Sequence, residues 1–373
     1  MARLLFVTWD GGGNLPPALG IAADVQRRGH LVRFLGHAQQ RASIEHSGFA
    51  FQPYAHARPW SSTAPAHGLT AADDIFSMFT DVGPGVDLLD AVDADPPDAV
   101  VVDCMSLGAL QAAEQAGLRR VVLVHTYWAY LTQQWARGPI VPYARAHGQR
   151  PELLWGSAEA VLVAADPSLD PAGGEDLPAS IRHVGVVQPT PQRRASHTGN
   201  GRPRVLVSLS TTFFPGQDEA LQSILDALAE LPVDGVVTTG DAVDPQRLRR
   251  PQNVEVHRFM PHEQILPTVD LVIGHGGHST TMRALSHDLP LVVLPMHPML
   301  DQAMNGRSVE EQGAAVVLTK TSSPNAIRAA VRALLAPGPH RDAAARIGAQ
   351  LRSRNGAAAA ADVLDHMLGR PSA

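Results

Sequence analysis

Leu271-Val272-Ile273-Gly274-His275-Gly276-Gly277-His278-Ser279-Thr280-Thr281 joins a short apolar run to a glycine turn and then to a helical pattern. Glycines let a backbone approach a ligand closely, and a helix start presents unpaired N–H groups and the positive end of a dipole. His275 adds a ring donor and Ser279, Thr280 and Thr281 add hydroxyls, so the stretch reads as a cradle for an anion. The competing reading is a glycine turn with a Ser or Thr cap, which many helices carry.

The same order, apolar run followed by helix, extends outward on both sides. After residue 204 the runs are Arg204–Leu209, Gly235–Thr239, Val254–Phe259, Leu271–Ile273, Leu291–Leu294 and Ala314–Leu318, with helices over 217–231, 279–287, 301–312 and 324–335. Before it they are Arg3–Thr8, Leu31–Leu35, Phe49–Pro53, Ala99–Val102 and Arg120–His125, with helices near Pro17–Arg28, Gln39–Ser47, Asp74–Asp93 and Ser106–Ala116. Runs such as Val100–Val102 suit strands buried on both faces, and the alternation is that of parallel βα units. The expected fold is α/β, with two Rossmann-like doubly wound domains facing across a cleft and ligand sites just after the strands. The expected boundaries are a first domain at 1–190, a linker at 191–203, a second domain at 204–340, and a tail at 341–373 whose helix packs back on the first domain.

Composition narrows the partners. With 45% hydrophobic and 18% charged residues the chain is globular, and its formal charge of −6 argues against nucleic acid or an anionic membrane as partner. Arg193, Arg194, Arg202 and Arg204 form a basic run, but the Gly and Pro among them suit a solvated linker. No apolar stretch reaches bilayer length and no leader pattern opens the chain, which predicts a cytoplasmic protein. The lone Cys104 forms no internal disulfide, and the 17 histidines show no metal-ligand spacing.

Between residues 259 and 318 four elements stand in order: Met260-Pro261-His262, His275-Gly276-Gly277-His278-Ser279-Thr280, Asp288-Leu289-Pro290 and Asp301-Gln302-Ala303-Met304-Asn305. They resemble the family of nucleotide-sugar-dependent glycosyltransferases with the GT-B fold, in its bacterial macrolide and antibiotic branch. The resemblance implies that backbone near Met260 contacts the nucleotide base, that His275 and Thr280 contact the diphosphate, beside Gly276, Gly277 and Ser279 of the same cradle, and that Asp301 and Gln302 hold sugar hydroxyls. Ser279 stands where the family has glycine. Ser208-Leu209-Ser210-Thr211-Thr212 resembles the family's strand-end Ser/Thr segment, so Ser210 and Thr211 are further donor-site candidates, against a plain strand-end turn. The resemblance also implies that neither a divalent metal nor a resident cofactor is needed. A dinucleotide enzyme is disfavoured, because Asp10-Gly11-Gly12-Gly13-Asn14 lacks the Gly-x-Gly-x-x-Gly spacing.

An inverting transfer needs a base beside the acceptor. The family supplies it as a histidine in Gly-His-x-x-Pro, where this chain reads Gly13-Asn14-Leu15-Pro16-Pro17. An amide takes no proton near neutral pH. The family's supporting carboxylate matches Asp103. Three explanations stay open: Asp103 or Asp10 acts directly, His125 takes over, or the acceptor is acidic enough to need little help. Tyr54–Trp60 and Tyr127–Trp135 are rich in aromatics, making Trp60, Tyr127 and Trp128 candidates to line an apolar or planar acceptor. Phe76, Met78 and Phe79 form either a lid, with Phe79 at the acceptor, or the buried side of a helix.

The reading that follows is an inverting, metal-independent glycosyltransferase, monomeric or homodimeric, moving a sugar from a UDP- or dTDP-sugar to a small natural-product-like acceptor. The alternative is a non-catalytic nucleotide-sugar-binding auxiliary protein of the same fold, for which Asn14 is the argument. A third is an epimerase or hydrolase on the same plan.

Overall fold

The computed structural model describes residues 1–63, 70–188 and 201–369; Arg193, Arg194, the linker up to residue 200 and part of the loop after Trp60 lie outside them. The described residues divide into two compact units, one of 1–61, 70–188 and 354–369, the other built on 201–353.

The first unit is a parallel sheet of β1 (Arg3–Val7), β2 (Leu31–Gly36), β3 (Ala50–Pro53), β4 (Ala99–Asp103), β5 (Arg120–Val124), β6 (Ala160–Val163) and β7 (Ile181–His183), in the order β3-β2-β1-β4-β5-β6-β7. Helix Leu15–Arg27 buries Ala18, Ile21, Ala22 and Val25 against Phe6, Phe34 and Val101 of the sheet. The chain winds from β1 towards β3, then returns to lay β4 on the other side of β1. That reversal opens a crevice at the carboxyl ends of β1 and β4, where backbone leaving neighbouring strands diverges.

The second unit repeats the plan with β8 (Arg204–Ser208), β9 (Asp234–Thr238), β10 (Val254–His257), β11 (Leu271–Gly274), β12 (Leu291–Val293) and β13 (Ala315–Val317), in the order β10-β9-β8-β11-β12-β13. Its reversal lies between β8 and β11, so Ser208 and Gly274 pair side by side at the crevice. Val205, Val207, Leu271, Ile273 and Val292 are fully buried, as strands covered on both faces require.

Three sequence expectations change. β6 and β7 extend the first sheet beyond the strands read from the sequence. The helix expected over 74–93 is two, Thr70–Phe79 and Gly83–Ala94; a Cβ at Gly83 would lie 2.3 Å from the His56 carbonyl oxygen, so the turn there needs glycine. The tail is also two helices in different units: Pro339–Arg352 packs on helix His278–Ser286 in the second, and Gly356–Met367 packs on helix Leu15–Arg27 in the first. Asn355 separates them, its side chain capping the last helix at the Ala358 N–H. The last helix is fixed by Arg28, which donates to Asp362 at 2.7 Å and Asp365 at 2.9 Å, and by His30 at 2.7 Å from Asp365. Among the described residues no helix is long and apolar enough to cross a membrane.

Candidate active site

The glycine loop after β11 is shaped by what packs on it. Gly276 has φ +86°, and a Cβ there would come within 2.4 Å of the Gln302 carbonyl oxygen. Its own carbonyl accepts from Asn305 Nδ2 at 2.9 Å, and the same amide donates to Asp301 Oδ2 at 3.0 Å. Asn305, fully buried, therefore ties the Asp301-to-Asn305 element to the loop. The loop ends on helix His278–Ser286, whose first turn holds half-buried Ser279 and Thr280. Ser279 takes the place of a glycine with no break in the helix.

His275 is half-buried and its Nδ1 is enclosed with no protein partner. Burial, with neighbouring His262, pushes it down to about 4, and burial with Arg283 does the same to His262. Both rings are neutral near pH 7 and offer hydrogen bonds instead of charge. His262 Nε2 lies 3.2 Å from Ser208 Oγ at the end of β8, which brings the Met260-to-His262 element to the same crevice. Ser210 Oγ accepts from the Thr212 N–H at 3.0 Å, and Thr211 is exposed beside it. Gln302 Oε1 accepts from the Met296 and His297 N–H groups at 2.7 and 3.1 Å, so this side chain braces the turn after β12 and has only its Nε2 end left for a ligand. All ten donor-side candidates thus follow strands β8, β10, β11 or β12 in the second unit.

Asp288 is the one non-glycine residue with positive φ (+61°) among those described. Asp tolerates this region better than most residues, and Arg352 holds its Oδ1 at 2.7 Å. Lys320, the only lysine in the sequence, was missed by the sequence reading. Its Nζ donates to the Pro215 carbonyl at 3.1 Å and the Met296 carbonyl at 3.4 Å, joining the turns that follow β8 and β12. Phe214, beside one of those turns, lies 6.5 Å from the His275 ring and 6.0 Å from His297. Lys320→Met is expected to weaken nucleoside diphosphate binding roughly tenfold through loss of the charged hydrogen bonds. Calorimetry checks it, and unchanged affinity would make the lysine a surface residue only.

In the first unit the crevice between β1 and β4 gathers residues from three strand ends. Asp103, buried at the end of β4, accepts at Oδ1 from the Trp9 indole N–H (2.9 Å) and the Met105 N–H (3.0 Å). Its Oδ2 faces Asn14 Nδ2 at 3.2 Å and His125 Nδ1 at 2.9 Å. Burial alone would raise the Asp103 carboxyl, but the charge and hydrogen bond of His125, with the Met105 and Trp9 donors, hold it below the ordinary carboxylate value. A carboxylate with both oxygens so occupied is a poor proton acceptor. Direct base action by Asp103 is disfavoured. Asp10 is held by its backbone, its N–H donating to His37 Nδ1 and its carbonyl accepting from Trp60 Nε1 at 2.8 Å.

The aromatic candidates separate. Trp60 is half-buried beside Asp10. Tyr127 is wholly buried and Trp128 nearly so, the latter edge-on to Trp155 at 5.8 Å with its N–H on Asp170, so both are packing residues where an acceptor contact was expected. Phe76, Met78 and Phe79 are the buried side of their helix. Phe79 reaches the site indirectly, standing edge-on to Trp9 at 5.0 Å. Trp9 itself was not singled out by the sequence reading; the signal available was an indole immediately after the first strand.

Residues 222–367 match the family described as "Erythromycin biosynthesis protein CIII-like, C-terminal domain". The 4'-demethylrebeccamycin synthase of Lentzea aerocolonigenes is 27% identical over 98% of this chain and all of its own length. Among solved structures, the calicheamicin glycosyltransferase CalG4 aligns over the whole of both chains with a TM-score of 0.81 at 22% identity. The glycosyltransferase VinC, solved in complex with DTDP, aligns over 98% of this chain and all of its own with a TM-score of 0.73 at 19% identity. With its two parallel Rossmann-like units and a match to the CIII-like C-terminal domain over 222–367, the chain is a glycosyltransferase with the GT-B fold, similar to those of natural-product biosynthesis.

Proposed function

We propose that this glycosyltransferase is inverting and metal-independent, and moves a sugar from a UDP- or dTDP-sugar to a small apolar or aromatic acceptor in the cytoplasm. The observation that carries the reading is the His275-to-Gly277 loop, where a left-handed glycine clamped by Asn305, a neutral histidine with an enclosed unpartnered nitrogen, and a helix start follow one another within four residues. Such a set suits a diphosphate, since helix N–H groups and dipole stabilise anionic oxygen without a metal ion. The DTDP held by VinC supports a donor of that class.

In the reaction the acceptor atom X, oxygen or nitrogen, attacks the anomeric carbon through its lone pair. The carbon's bond to the β-phosphate oxygen breaks, and its electron pair leaves on the diphosphate. The proton on X passes to a base. One displacement inverts the anomeric centre. The test is incubation of an α-linked UDP- or dTDP-sugar with planar phenols and N-heterocycles in excess chelator, with proton NMR of the anomeric centre. A β-linked product is expected. An α-linked product, or product formed only with added divalent ions, would contradict the proposal; donor breakdown without an acceptor would favour a hydrolase.

A further inference from the structure

We propose that His125 is the catalytic base, oriented by Asp103, and that Asn14 positions the acceptor; the proposal rests on the transferase reading above. In the sheet order β1-β4-β5, Asp103 ends the middle strand, with Asn14 in the loop after β1 on one side and His125 just after β5 on the other. Both neighbours touch the same oxygen, Oδ2, at 3.2 and 2.9 Å. The carboxylate that resembles the family's orienting group therefore keeps an imidazole partner, reached from the opposite strand.

The division of work follows from which atoms are occupied. His125 spends Nδ1 on Asp103, and none of the hydrogen bonds among the described residues uses Nε2; the side chain keeps 12% of its surface open. Asp103 also has its other oxygen fixed by Trp9 and Met105, so it selects the tautomer with the proton on Nδ1 and the lone pair on Nε2. Asn14 directs Nδ2 at three acceptors: the Thr8 hydroxyl at 3.3 Å, the Trp9 carbonyl at 3.0 Å, and Asp103. Its Oδ1 is consequently turned away from all three, buried and without a partner. A buried carbonyl oxygen lacking a donor is completed by one from a ligand, here the O–H or N–H of the acceptor.

The step balances without a further reagent. X forms its bond to the anomeric carbon, the diphosphate departs with the electron pair, and the proton from X moves to His125 Nε2, leaving an imidazolium beside the Asp103 carboxylate. Burial by itself would lower His125, but Asp103 carries it well above the ordinary histidine value, with a smaller contribution from Cys104, whose Sγ is 3.8 Å from Nδ1. Protonated His125 is inactive, so kcat/KM with a weakly acidic acceptor should rise with pH through that raised value and level off above it.

The experiment uses His125→Asn, whose amide keeps a donor for Asp103 but takes no proton. With unsubstituted phenol as acceptor, kcat should fall by about 10^2- to 10^4-fold, the usual yield of general base catalysis, and the rising pH limb should disappear. With 4-nitrophenol assayed at a pH well above its own pKa, where it is already ionised, the fall should be under about tenfold, because no proton remains to be removed. Nucleoside diphosphate affinity should not change. Adding Asn14→His to His125→Asn, which restores the family's placement, should recover part of the phenol activity. Equal losses on both phenols, or a retained pH limb, would reduce His125 to a structural partner of Asp103, and full activity would overturn the proposal. Absence of product from the wild-type protein with every donor would instead overturn the transferase reading, independently of His125.

Discussion

Asp103→Asn is expected to lower kcat by roughly 10^3- to 10^4-fold, the scale seen when the orienting carboxylate of a histidine base is made an amide, while nucleoside diphosphate binding stays within about twofold of wild type. The reason is a conflict of donors. Four groups, the Trp9 indole, the Met105 amide, Asn14 and His125, all point hydrogens at the two Asp103 oxygens. An asparagine replaces one acceptor oxygen by an NH2. If that NH2 takes the Oδ2 place it opposes the Asn14 amide and forces His125 to present the Nδ1 lone pair, which puts the proton on Nε2 and removes the base. If it takes the Oδ1 place it leaves Trp9 and Met105 unsatisfied. Steady-state kinetics with donor and acceptor varied separately checks the prediction. Near wild-type kcat would remove Asp103 from the reaction.

Gly276→Ala is expected to cost about 3 kcal/mol of stability or more, as left-handed backbone strain of about 1–2 kcal/mol adds to an overpacking cost of similar size. The new methyl meets the Gln302 carbonyl oxygen at 2.4 Å and Val293 Cγ1 at 2.9 Å, and the first of these is backbone that no rotamer change can move. Relief requires helix Gln302–Glu311 to shift, which breaks the Asn305 bond to the loop and opens the cradle. Diphosphate affinity should fall at least about a hundredfold, because several N–H donors lose their aim together. Gly313→Ala is the control: its φ of +85° is nearly the same, but the new Cβ would find Ala343 Cβ at an ordinary 3.5 Å. Urea unfolding of the two variants separates strain from overlap, and equal losses would mean that close approach at Gly276 is unimportant.

Much of the fold was legible because burial on both faces writes itself into runs such as Val100–Val102 and Leu271–Ile273, and glycines mark the turns after them. β6 and β7 were not legible. Ala160–Val163 lies among alanines, and Ile181–His183 carries Arg182 and His183 beside a single apolar residue, so neither stands out as an apolar run. The break at Gly83 depends on the approach of His56, a contact far away in sequence. The donor loop was visible because its residues are consecutive, whereas the Asp103 cluster draws on three strand ends and appears only once β1, β4 and β5 are laid side by side. His125 therefore remained one of three candidates in the sequence. Tyr127 and Trp128 are buried in the structure, and aromatic density in a sequence marks packing as readily as a ligand face. Lys320 carried a signal only in being the sole lysine.

The central claim, that the His275-to-Gly277 loop holds a nucleoside diphosphate, is tested most directly by calorimetric titration of wild type and His275→Ala with UDP and dTDP, with NAD as control. The account predicts micromolar binding of one diphosphate, at least about tenfold weaker in the variant through loss of a charge-assisted hydrogen bond, and no binding of NAD. Failure of both diphosphates to bind, preference for NAD, or equal affinity in the variant would contradict it.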